Sequence, residues 1–67
     1  MVNNKVGFVA GDIYRRLNSQ GEASLNDLRR DLNLTPAMLQ MGVGWLARED
    51  KVEIAKRGAG YVIRLKA

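Results

Sequence analysis

The chain has 67 residues, a formal net charge of +4, and neither cysteine nor histidine. That length holds one domain with a small core, and the composition removes disulfides, thiolate or imidazole metal ligands and the usual general base near neutral pH. No stretch approaches the roughly 18 apolar residues of a membrane span, and the first twenty lack a signal-peptide core, so a single domain over residues 1–67 in a reducing cytoplasm is expected.

Val6, Val9, Ala10, Ile13 and Leu17 recur at three- and four-residue steps, the apolar stripe of a first helix. Asn3 or Asn4 is placed to cap its start, and Gly21 ends it after "NSQ". Gly7 and Gly11 weaken this helix by about 1 kcal/mol each relative to alanine, and small residues there invite close approach by a neighbour. "GEAS" is long enough for one brief strand. Ser24 then opens "SLNDLRRDL" with Asp27 three residues on, a capping-box-like start to a second helix that buries Leu25, Leu28 and Leu32.

"NLTP" follows at once. Asn33 tolerates a left-handed turn residue, Leu34 plugs the corner, Thr35 is a good N-cap, and Pro36 falls at the first helical position, where its missing amide costs nothing. Two short helices joined by about three residues form a helix-turn-helix. After Asp50 the period changes to two. Val52 and Ile54 alternate with Lys51 and Glu53, and Tyr61, Ile63 and Leu65 alternate with Val62, Arg64 and Lys66. "KRGAG" between them supplies turn glycines, so residues 51–66 read as a β-hairpin.

Residues 1–50 hold six basic and six acidic side chains, while residues 51–67 hold five basic ones against Glu53 alone. The whole formal charge therefore sits in the hairpin. Two explanations compete: an electrostatic footprint for phosphates, or a solubilising edge hairpin whose lysines discourage strand-to-strand aggregation.

The predicted order is helix, short strand, helix, turn, helix, hairpin: an α+β chain that resembles the winged helix-turn-helix family over nearly its whole length. "LNLTPAMLQ" and "VGWLAREDKVEI" resemble, more narrowly, a set of small winged helix-turn-helix proteins of bacteria and archaea with no established biochemical role. The resemblance implies duplex DNA binding through the N-terminal half of the third helix and the hairpin wing. Carried onto this chain, the groove-facing positions are Ala37, Met38, Gln40 and Met41, with Gly44 beyond them, and the wing contacts are Lys56, Arg57, Arg64 and Lys66. Arg29, Arg30 and Lys5 are further candidates for phosphate contact. Fold alone does not decide function.

At about 100° per residue, Leu39, Val43, Leu46 and Gly42 share the inward side of the third helix, while Met38, Met41 and Trp45 form a second apolar stripe. Among the strong base readers, arginine, lysine, asparagine and glutamine, the groove-facing positions offer only Gln40. The helix thus occupies the position of a reader with a chemistry better suited to packing. Trp45 is expected to pack on the wing, and Gly42 and Gly44 to permit close helix packing. Met38 and Met41, with Trp45, form the alternative surface for a homodimer or protein partner, since methionine suits adaptable contacts.

Catalysis finds little support. Ser19, Ser24 and Thr35 are the candidate hydroxyl nucleophiles; two are explained as caps, and no histidine or cysteine accompanies them. Asp27 and Asp31, four apart on one helix face, have the spacing for a weak cation, though a helix start explains Asp27 better. No metal, cofactor, small-molecule substrate or membrane partner is inferred.

Overall fold

A left-handed residue follows each of the three helices, and these stops set the course of the chain. The computed structural model describes the backbone of residues 2–66 and the side chains of residues 7–66. Helix α1 runs Val2–Gln20 and closes at Gly21, whose N–H donates to the Leu17 carbonyl at 2.8 Å. Asn3 and Asn4 therefore fall inside the helix rather than ahead of it; their side chains, like those of Lys5 and Val6, lie outside the described residues.

Strand β1 is Ala23–Ser24, and α2 is Leu25–Asp31. Ser24 caps α2, its hydroxyl accepting from the Asp27 N–H at 3.0 Å, which satisfies one of the amides a helix start leaves without a partner. At the other end Asn33 takes φ 54°, its N–H donates to Arg30, and the Leu34 N–H donates to Arg29. This is the paired pattern of a Schellman motif. It turns the chain sharply and drops Leu34 against the core, as the sequence predicts.

Helix α3, Pro36–Arg48, starts with Thr35 accepting from the Met38 N–H at 3.1 Å and with Pro36 in the first turn. It ends in a second Schellman pattern, with Asp50 at φ 61°, Asp50 N–H donating to Ala47, and Lys51 N–H donating to Leu46. Strands β2 (Val52–Arg57) and β3 (Gly60–Leu65) form the hairpin. Its two-residue loop places Gly58 at φ 62° in the first central position, the arrangement of a II′ turn that matches strand twist.

The sheet is antiparallel with order β1-β3-β2. The register sets Val52 opposite Leu65, Ile54 opposite Ile63 and Ala23 opposite Ile63, so these share the face that the helices cover. The core is aliphatic. Ile13, Leu28 and Ile63, one each from α1, α2 and β3, are its largest fully buried side chains, joined by Val9, Ala10, Leu17, Ala23, Leu39, Val43, Leu46 and Val52.

Helices α1 and α3 approach closely at Gly42. A Cβ built at Gly42 would stand 2.7 Å from Val9 Cγ1 and 2.8 Å from Ile13 Cδ1, inside any real contact distance. Gly44 meets nothing within 4 Å and is exposed. Of the two glycines predicted to allow close packing, Gly42 does so and Gly44 does not. Gly7 also faces open space, and Gly11 meets only Arg15 of its own helix, so neither brings a neighbouring element close.

The two α3 glycines should respond oppositely to alanine. Gly44→Ala is expected to stabilise the fold by about 0.5–1 kcal/mol through helix propensity. Gly42→Ala is expected to lose about 1 kcal/mol net, because overpacking costs about 1–3 kcal/mol against that same gain. Urea unfolding of both variants checks this, and a stabilising Gly42→Ala contradicts the packing described.

Candidate nucleic-acid interface

With Gly42 against α1 and Leu39, Val43 and Leu46 buried, helical geometry leaves one outward stripe on α3. Ala37, Met41, Gly44 and Arg48 follow one another at four-, three- and four-residue steps, all exposed, with Gln40 exposed beside them. Of the sequence-predicted groove positions, Ala37, Gln40 and Met41 are therefore on the surface. Met38 is not a free contact: it is half-buried and packs against the core. Arg48, which closes this stripe, is not among the contacts predicted from the sequence. Its spacing from Ala37, Met41 and Gly44 was the available signal. Among the described residues it has no carboxylate partner within ion-pair distance.

The wing's basic residues divide between the two faces of the sheet. Lys56 pairs across the hairpin with Tyr61, on the face that carries Val52, Ile54 and Ile63. Arg57 and Arg64 lie on the opposite face, where Arg57 reaches Glu22 at 3.0 Å and Arg64 reaches Glu53 at 2.9 Å. Lys66, just past β3, is 2.6 Å from Asp50. That hydrogen bond, and then the Asp50 charge, raise the Lys66 ammonium above its ordinary pKa. Three of the four predicted wing cations thus have carboxylate partners, and Lys56 is the exception among the described residues.

Elsewhere the same pairing recurs. Arg30 bridges Asp27 at 3.0 Å and Asp31 at 3.5 Å, which occupies the carboxylates whose spacing suggested a weak cation site. No cluster of three or more metal-ligating side chains occurs among the described residues. Arg29 makes only a long hydrogen bond to Asn26. No helix among the described residues is long and apolar enough to cross a membrane.

Trp45 does not pack on the wing as the sequence suggests. It is 43% exposed and lines a groove with Gly7, Ala10, Gly11 and Tyr14 of α1, together with Leu46 and Lys51. The cause is the close approach at Gly42, which brings α1 alongside the flank of α3 that carries Trp45, one helical turn further on. The inner face of the wing instead leaves Ile54 and Tyr61 exposed beside Lys56.

A capped helix-turn-helix backed by a three-stranded sheet, with a hairpin extending beyond the core, defines the winged helix-turn-helix class. The chain belongs to the family described as Winged helix-turn-helix domain (DUF2582), whose model matches residues 1–65. It is 40% identical over 65 residues to an uncharacterized protein of Methanocaldococcus jannaschii, spanning 92% of this chain and 91% of that relative. It is also similar to a Bacteroides thetaiotaomicron protein whose structure was solved in solution by NMR. The TM-score is 0.84 at 35% identity, over 97% of this chain and 79% of that one.

The ion pairs around the wing are exposed and should matter little to folding. Glu22→Gln or Glu53→Gln is expected to change unfolding stability by roughly 0–1 kcal/mol in a urea melt. A loss above about 2 kcal/mol would show that these pairs are structural rather than open to exchange with phosphate.

Proposed function

We propose that this domain is a non-catalytic, transcription-regulator-like DNA-binding module of the cytoplasm, with phosphate-dominated and weakly sequence-specific binding to duplex DNA. The observation that carries the reading is the outward stripe of α3. Ala37, Met41 and Gly44 are short or flexible and allow close approach to a groove, and the stripe ends in Arg48, a cation without a carboxylate partner. Arg29 on α2 and Lys56 on the wing supply two more such cations, from the other elements that a winged helix brings to DNA. Gln40 is the single base reader in the N-terminal half of α3, and one bidentate glutamine contact discriminates by about 1–3 kcal/mol at one base pair. Phosphate contacts position a protein without carrying sequence information, so affinity outweighs specificity here.

Arg57, Arg64 and Lys66 enter this reading as secondary contacts. A phosphate must first displace Glu22, Glu53 or Asp50 from them, and exposed pairs of this kind are worth only about 0–1 kcal/mol. The second reading, a homodimer or protein-contact surface on α3, keeps Met41 and Trp45, exposed by 45% and 43%, and gives up Met38.

Binding to any mixed-sequence duplex should weaken steeply with salt, log K falling by about 0.9 per phosphate engaged for each decade of salt. Lys56→Glu and Arg48→Glu should each lower affinity for all sequences alike and reduce the salt slope by about 1. Fluorescence anisotropy across a salt series reads both effects. Loss confined to one sequence, or an unchanged slope, counts against phosphate-dominated binding. Sedimentation of Met41→Glu against the wild-type chain separates the dimer reading, which requires concentration-dependent association that the substitution removes.

A further inference from the structure

None of the chain's four aromatic side chains lies in the buried core: Phe8, Tyr14, Trp45 and Tyr61 are all at least 40% exposed. Aromatic rings carry the largest apolar area of any side chains, and clustered on a surface they mark a binding site more often than scattered aliphatic residues do. Two of them, Tyr14 and Trp45, meet in the groove between α1 and α3. Gly7, Ala10 and Gly11 line it alongside them, and a Cβ at Gly7 would meet nothing within 4 Å. Helical glycines that permit no close packing, each costing about 1 kcal/mol, are unexplained by the fold itself. What they do is keep the groove open. Its volume is about 260 Å³, whereas a cavity of roughly 150 Å³ suffices for a benzene-sized ring.

The charges of the groove have one sign. Among the described residues, Arg15 and Lys51 line it and no carboxylate does. Arg15 is tied to Asp12, whereas Lys51 has no carboxylate partner among the described residues. Its Nζ stands 6.0 Å from the Tyr14 ring centroid, at the outer limit of cation–π contact, and remains available to an anion. We infer that this groove is a binding site for a small aromatic anion, a planar ring bearing a carboxylate or phosphate. The ring lies over the Gly7–Gly11 surface between Tyr14 and Trp45, and the anionic group meets Lys51. A second copy of the chain fits less well, because a two-fold contact through this groove sets like cations against each other. The site is separate from the outward stripe of α3, so it neither requires nor excludes DNA binding.

Trp45 is the sole tryptophan and reports directly on the groove. The full chain is titrated with phenyl phosphate, with benzyl alcohol as the neutral ring and inorganic phosphate as the ringless anion. The expected result is a saturable change in Trp45 emission with phenyl phosphate, accompanied by amide shifts at residues 7–15 and 45–51. Both controls should bind at least about tenfold more weakly, as should phenyl phosphate to Lys51→Met, the scale of a lost charge-assisted hydrogen bond. Gly11→Leu should fill the groove and abolish the response while melting no lower than the wild type, since leucine favours the helix. No saturable change up to about 1 mM phenyl phosphate overturns the inference, that being the weak end of the affinity scale. So does equal binding of benzyl alcohol or of inorganic phosphate, full binding to Lys51→Met or to folded Gly11→Leu, or an emission change that tracks protein concentration rather than ligand.

Discussion

The contact on which the rest of the structure depends is the one where α1 lies against Gly42. Val9 and Ile13 occupy the space a side chain at that position would need, and the Ala10 backbone lies just beyond them. In a core whose three largest buried side chains come one each from α1, α2 and β3, there is little room to adjust. Rotation of α3 about its axis is fixed there. With Gly42 held to α1, Leu39, Val43 and Leu46 turn inward and Ala37, Met41, Gly44 and Arg48 turn outward. The same contact draws Trp45 to the flank of α1 and opens the aromatic groove. Both candidate surfaces of the molecule are consequences of one missing methyl group.

The distribution of charge is the second constraint. In the sequence the excess positive charge is confined to residues 51–67, and on the surface it is dispersed. Glu22, just before β1, reaches Arg57; Glu53 lies across the hairpin from Arg64; Asp50, held at positive φ by the end of α3, meets Lys66. Among the described residues, the cations without carboxylate partners are Arg29, Arg48, Lys51 and Lys56, drawn from α2, α3, a loop and the wing. An extended arrangement of single cations suits a backbone of evenly spaced phosphates better than it suits one concentrated anion.

How legible each feature was in the sequence depends on how local its cause is. Ser24 and Thr35 cap helices through atoms three residues away, Asn33 turns the chain through its own backbone, and Gly58 shapes a two-residue loop. All of these depend on neighbours in the chain, and the element order they imply is the one observed. The surroundings of Trp45 and Met38, and the carboxylates that the wing arginines meet, were not legible for the opposite reason. Whether Trp45 meets the wing or α1 depends on how closely two helices approach, and periodicity does not report distance. Glu22 and Arg57 are 35 residues apart and pair only because β1 and β2 flank the same strand, β3. Gly7, Gly11 and Gly44 show the limit clearly. A glycine in a helix reads the same whether a neighbour presses against it, as at Gly42, or open space surrounds it.

The proposed interface is defined by geometry that α3 and the wing share, so the most direct measurement maps contacts along the backbone. Isotope-labelled protein is titrated with a mixed-sequence duplex at low and at moderate salt while the amide resonances are followed. The expected result is a set of shifts at residues 37–48 and at the wing around Lys56 and Tyr61, shrinking together as salt rises. Shifts confined to residues 7–15 and Trp45, or no shifts at concentrations where weak binding registers, would contradict the account and remove DNA from the proposed function.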